Sequence, residues 1–170
     1  MALINTTTTG VLGSTFFGDG TGPLTVQQNG VTLGVYGNIP AFSAYSSAQS
    51  SAITTATDTK VLFDIETFDT NNNFASSRFT PTIAGYYQIN ATVRYNGTFT
   101  VAGLILFKNG GNLGYLQNVT GTILTGSSLQ YMNGSTDYLE VYVNITGTSL
   151  TVGNSNVNTN YFSGYLVKAA

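Results

Sequence analysis

The chain has 170 residues, 42% of them hydrophobic, enough for one cored domain and a short appendage. Only 7% of residues are Asp, Glu, Lys or Arg and the net charge is −2, so no basic patch tracks phosphates and nucleic-acid binding is excluded. No apolar run reaches the roughly eighteen residues of a spanning helix, and the lack of cysteine excludes a disulfide framework.

Thr, Ser, Asn and Gln fill the polar positions instead. Thr is β-branched and suits a pleated surface, while Asn and Gly supply turns. Ala, Leu, Glu and Lys never cluster at a 3.6-residue period for three turns, so no long helix is expected. No charged-then-apolar leader opens the sequence, so a secretory route is not expected. Six N-x-[ST] sequons start at Asn5, Asn90, Asn96, Asn118, Asn133 and Asn144. In a chain this rich in Asn and Thr they are expected by chance.

Residues 1–38 carry Gly10, Gly13, Gly18, Gly20, Gly22, Gly30, Gly34 and Gly37 among short apolar pairs, too Gly-rich for a core. Leu24–Gln28 and Val31–Tyr36 read as strands hinged at Asn29-Gly30, the strongest short hairpin signal. The segment predicts an extended arm that orders against sister subunits or a larger surface. Pro40 marks the boundary, and residues 39–170 form the second domain. There, Val61–Glu66 reads as a strand and Asp69–Asn73 as a turn. Tyr87, Ile89, Ala91, Val93 and Tyr95 alternate with polar residues. Val101–Phe107 is apolar on both faces and ends at Asn109-Gly110. Leu139, Val141, Val143 and Ile145 oppose Tyr138, Glu140, Tyr142 and Asn144. Phe162, Gly164 and Leu166 alternate with Tyr161, Ser163, Tyr165 and Val167. Turn signals every eight to twelve residues predict an all-β sandwich or barrel.

A half-buried strand shows polar residues opposite its core face. Here that face carries Tyr86, Tyr138, Tyr142, Tyr161 and Tyr165. A contiguous aromatic second face would be an exposed apolar patch on a monomer, and Tyr is enriched at interfaces. One sheet is therefore expected to bury its outer face against sister copies.

Three stretches carry a resemblance. They are Ala41-Phe42-Ser43-Ala44-Tyr45; Thr59 to Asp64 through Glu66, Phe68-Asp69 and Phe74 to Arg78-Phe79-Thr80-Pro81 and Ala84-Gly85-Tyr86-Tyr87; and Phe162-Ser163-Gly164-Tyr165-Leu166. In this order and spacing residues 41–168 resemble the C1q globular head, one of the tumour-necrosis-factor-like (TNF-like) jelly rolls. The resemblance implies a ten-stranded jelly-roll sandwich that packs as a homotrimer. It places Phe42, Tyr86, Tyr138, Tyr142, Phe162 and Tyr165 toward the threefold axis. Unlike many secreted members of that family, the sequence shows no G-X-Y repeat or heptad stalk. A Thr/Asn/Gly-rich β chain with an extended arm resembles instead a structural component of tailed-bacteriophage virions.

Catalytic chemistry finds little to work with. Histidine is absent, which removes Ser-His and Cys-His nucleophile systems and, with cysteine, the common zinc sites. Asp64, Glu66 and Asp69 lie close in sequence but read as a solvated strand face beside a turn, without the dense oxygen ligands of a calcium site. Gly18 to Gly22 lacks the Lys-Ser/Thr of a phosphate-binding loop. No catalytic residue, cofactor or metal is expected. The expected role is a capsid decoration, or cement, protein on the virion exterior. Its arms would clamp the major capsid protein through Val11, Leu12, Phe16, Phe17, Leu24 and Val26. The alternative is a receptor-binding fibre tip whose loops at Asn71–Asn73 and Asn154–Asn160 meet a surface glycan.

Overall fold

A computed structural model describes residues 39–49, 52–153 and 159–170, with the backbone alone at Asn118 and Val119 and in the strands Leu24–Gln28 and Val31–Tyr36. The chain divides into two compact units, Met1–Gly37 and Asn38–Ala170. In the first, β1 (Leu24–Gln28) and β2 (Val31–Tyr36) pair antiparallel, with an irregularity between Val26 and Gln27. These are the two strands that the Asn29-Gly30 signal predicts.

The second unit is a jelly-roll sandwich of ten strands. They are β3 (Ala41–Tyr45), β4 (Thr59–Lys60), β5 (Ile65–Asp69), β6 (Phe74–Ala75), β7 (Arg78–Phe79), β8 (Gly85–Lys108), β9 (Gly111–Val119), β10 (Ile123–Met132), β11 (Leu139–Val152) and β12 (Tyr161–Ala169). The front sheet runs β5-β3-β12-β8-β10. The back sheet runs β9-β8-β11, with β4 and β7 pairing the far side of β11 and β6 pairing β7.

Strand β8 belongs to both sheets. The sequence separates Tyr87–Tyr95 from Val101–Phe107, but the chain runs as one strand of 24 residues. It bends at Gly97, where φ is +123° and the Thr148 and Ser149 carbonyl oxygens stand 2.8 Å from where a Cβ would sit. The register against β11 slips beside this point, between Thr146 and Gly147 and between Thr148 and Thr151. A bulged partner and a left-handed glycine allow a strand to turn a corner without ending.

Val61–Asp64 is not part of a strand, contrary to the sequence reading. Its alternation is real, since Val61 and Phe63 are buried while Leu62 and Asp64 are exposed. The segment carries the chain from β4 in the back sheet to β5 in the front sheet, so it has no ladder to join. Isolated bonds hold it. Val61 N–H donates to the Val141 carbonyl (2.9 Å) and Phe63 N–H to Ser77 Oγ (2.8 Å).

The two sheets meet through a ring cluster. Phe42 of β3 stacks on Phe79 of β7 (centroids 4.3 Å) and Phe74 of β6 (4.9 Å) and meets Phe162 of β12 edge-on at 4.9 Å. Phe63 lies 5.7 Å from Phe162. Tyr87 closes the cluster against Phe79 at 5.4 Å, and its hydroxyl reaches the Ile83 carbonyl (2.8 Å). Burial pushes the Tyr87 phenol well above its ordinary value, so it stays a neutral donor.

Edge strand β9 pairs with β8 irregularly. Its register slips between Leu104 and Ile105 and again between Leu106 and Phe107, and Gly114 has φ +120°.

Truncating the ring at the centre of this cluster removes contacts to both sheets at once. Phe42→Ala is expected to destabilise the fold by about 3–5 kcal/mol, whereas Leu62→Ala, at an exposed position of the crossover, should cost no more than about 0.5 kcal/mol. Urea unfolding midpoints of the two variants at one protein concentration make the comparison; equal losses would contradict the assignment of Phe42 to the core.

Candidate functional site

The outer face of the front sheet is built by strand register. Residues directly paired across an antiparallel ladder point to the same side. Tyr86 on β8 therefore stands between Tyr131 on β10 and Lys168 on β12, and Gln88 between Leu129 and Tyr165. Asn90 lies between Ser127 and Ser163, and Thr92 between Thr125 and Tyr161. Strand β3 extends these rows with Ser43 and Tyr45, and β5 ends them with Phe68 and Ile65. The face is thus striped, with a Ser/Asn row between two aromatic rows. Tyr86, Leu129, Tyr131, Tyr165 and Val167 are 44–55% exposed. Tyr86 and Tyr131 meet edge-on at 5.4 Å.

Of the residues expected at a trimer axis, Tyr86 and Tyr165 lie on this face. Phe42 and Phe162 do not. Ser43 and Ser163 occupy the outward positions of β3 and β12, and strand alternation turns the two phenylalanines into the sandwich, where they are buried. Tyr138 and Tyr142 are also displaced, because β11 and the residue before it belong to the back sheet. The Arg78 guanidinium lies 3.8 Å above the Tyr138 ring. Tyr142 stacks on Phe107 at 4.0 Å. The front face includes two residues that the sequence reading did not single out, Leu129 and Tyr131. Their signal is the spacing Ile123, Leu129, Tyr131 opposite Leu124 and Met132, diluted by the Gly and Ser between.

The expected arm anchors Val11, Leu12, Phe16 and Phe17 lie outside the described residues. Leu24 and Val26 lie in β1, paired with Tyr36 and Gly34.

Most of the acidic and loop residues singled out from the sequence brace the fold. Asp69 accepts from Phe74 N–H (2.7 Å) and Asn71 N–H (3.2 Å), and Asn73 Oδ1 from Thr82 N–H (2.9 Å). The loop at Asn71–Asn73 is therefore braced from within. Asn154–Asn158 of the second expected loop lie outside the described residues; its remaining part is Thr159 and the buried Asn160. Asp64 accepts from the backbone N–H and hydroxyl of Ser47, which hold its carboxyl below the ordinary carboxylate value. Glu66 is an exposed side chain of β5. A cavity of about 410 Å³ opens beside Val61 and Leu62, and its serines, Ser46 and Ser47, bond Leu62 and Asp64 in its wall.

The strongest electrostatic feature is in the back sheet. Glu140 is buried and accepts at Oε1 from Lys60 Nζ (2.7 Å) and Arg78 Nε (2.9 Å). Burial alone would raise its carboxyl. The hydrogen bonds from the two cations outweigh burial and hold it below the ordinary glutamate value. Asp137 is likewise lowered, chiefly by its bonds from Lys108 and Asn109.

No family model matches the sequence, and no curated protein matches it. The solved structures that resemble it share its fold. The crystal structure of murine APRIL at pH 8.0 has a TM-score of 0.55 at 10% sequence identity, covering 76% of this chain and 99% of that one. The murine APRIL structure at pH 8.5 gives 0.54 at 10% identity, with the same coverage. The chain therefore has a TNF-like jelly-roll fold, as the C1q-like residues predict.

A carboxyl whose folded value is depressed stabilises the fold above its unfolded value, and that contribution is lost as pH falls through the folded one. Stability is expected to hold above the ordinary Glu value of 4.5 and to decline below it. Glu140→Gln should cost about 1–3 kcal/mol at neutral pH, because Lys60 and Arg78 lose an ionised acceptor, and should flatten part of the acid decline. Urea midpoints at neutral pH and at about pH 3 test this; an unaltered acid limb would assign the decline to Asp64 and Asp137.

Proposed function

We propose that the chain is a homotrimeric structural module, not an enzyme, whose subunits join through the outer face of the front sheet. The observation that carries this is the patch of Tyr86, Leu129, Tyr131, Tyr165 and Val167, each about half exposed in the protomer. Contiguous apolar surface of this kind marks an interaction site. Tyr suits it, because the ring buries while the hydroxyl keeps a partner. The middle row of Ser127, Asn90, Ser163 and Ser43 supplies hydrogen bonds that fix register between copies. In a cyclic assembly one patch meets a different surface on the next copy, and three copies close the ring. The likeness to APRIL is one of fold, and it supports this reading by placing the face on a TNF-like sandwich.

The finer reading is a capsid decoration protein on a bacteriophage virion. Low charge, polar positions filled by Thr and Asn, and a Gly-rich first unit support it. The hairpin β1–β2 is a sheet of its own with two strands. Such hairpins are marginal without a surface to pack on, and in this reading the major capsid protein provides it. Three arms acting together hold weakly bound sites by avidity.

Light scattering of the full chain at micromolar concentration should report three times the 17.9 kDa chain mass. Tyr165→Asp should yield monomer, while Tyr142→Asp in the back sheet should leave the trimer. A solitary protomer, or the reverse pattern of variants, overturns the assembly. Deleting residues 1–38 should abolish attachment to empty heads and leave a soluble trimer; attachment that survives the deletion overturns the arm's role.

A further inference from the structure

The outer face of the back sheet is organised differently from that of the front. Its register sets Tyr115 of β9, Ile105 of β8, Tyr142 of β11 and Lys60 of β4 in one row across the sheet. Glu140 and Phe107 form the next row. Ile105 points away from the sandwich, as its pairing with Tyr142 requires, yet it is fully buried. Rings cover it. Phe107 and Tyr142 stack at 4.0 Å, and Tyr115 lies over Gly103, 2.2 Å from where a Cβ would stand. Any side chain at Gly103 would collide with the Tyr115 ring. Tyr115 is nevertheless 54% exposed.

This aromatic strip ends in a cation that is half free. Arg78 uses Nε to hold Glu140 and sets its guanidinium carbon 3.8 Å over the Tyr138 ring. Among the described residues its two terminal nitrogens have no hydrogen-bond partner. Its side chain is 44% exposed. Glu140 neutralises only one of the two cations that grip it, and Asp58, the further carboxylate at this end, is taken up by Asn144 Nδ2 (2.7 Å), which leaves the Arg78 fork open to an acidic ligand. An arginine fixed at Nε and held over a ring presents its remaining fork at low entropic cost, and that fork matches a carboxylate.

We propose that this strip binds a carboxylate-bearing saccharide chain, such as a uronic-acid polymer. The Arg78 fork would take a sugar carboxylate, and neighbouring sugar rings would lie on Tyr142 and the half-exposed Tyr115. Strands sit about 4.8 Å apart, so the row from Tyr115 to Lys60 spans roughly 14 Å. That is the length of a short oligosaccharide and exceeds a single acid group. A few polar groups on a mainly apolar floor are the ordinary makeup of such a site. The inference uses the back sheet alone and stands independently of the assembly proposed for the front.

Titration calorimetry of the full chain tests it with three probes. These are a hexasaccharide of galacturonic acid, the neutral maltohexaose, and a glutamate peptide of matching charge. The uronate should bind, with maltohexaose and the peptide each about tenfold weaker or more. Arg78→Lys keeps the charge and the bond to Glu140 but removes the fork, and should weaken uronate binding about tenfold. Tyr115→Ser should weaken it severalfold, and Tyr115→Phe, which keeps the ring, should not. No uronate binding, equal binding of the peptide or of maltohexaose, or uronate binding indifferent to Arg78→Lys overturns the proposal.

Discussion

Phe42 sits where the two sheets must be held together, stacked on Phe79 and Phe74 from the back sheet and edge-on to Phe162 from its own. The strands that supply these rings are short; β6 and β7 have two residues each. Their ladders alone could not fix the crossover between β5 and β8. Ring packing does so, because aromatic pairs add geometric preference to area buried. With the sandwich closed at this point, strand alternation decides what faces outward on both sides. The cluster therefore determines which side chains are available for function, although none of its members reaches the surface.

The two outer faces that result have different character. On the back sheet the rings cover one another and leave Ile105 dry, and the cations are gathered around a buried carboxylate. Within one protomer that surface covers Ile105 but leaves Tyr115 half exposed. On the front sheet the rings stand apart in rows with a serine and asparagine stripe between them. Buried apolar area there must come from outside the protomer.

Much of this was legible in the sequence. Alternation from Tyr87 to Tyr95 and from Leu139 to Ile145 sets core and outer faces correctly, and Asn29-Gly30 and Asn109-Gly110 each fall between paired strands. The aromatic second face was real, but period two gives only the side of a strand and not the sheet to which it belongs. Period two alone therefore cannot separate Tyr138 and Tyr142 of the back sheet from Tyr86 of the front. Phe42 and Phe162 differ in kind: their motif marks the rings, while the alternation of Ser43 and Ser163 on the same strands sets them inward. Val61–Asp64 alternates as strands do, yet it is a crossover, because hydrogen-bond partners depend on topology. Strands β9 and β10 were obscured by Gly and Ser, and the long-range pairing of β10 with β8 has no local signature.

The uneven border of β9 has a consequence for how assembly stops. A straight outermost strand offers a row of free amides and carbonyls onto which another molecule can add, and sheets with such borders grow without limit. Here two slips in register and a left-handed glycine break that row into pieces too short to template a neighbour. At this border strand addition is thereby disfavoured relative to contacts made by faces, which can close on themselves. In a chain with so few charges to keep molecules apart, that irregularity shields this border of the back sheet from strand addition.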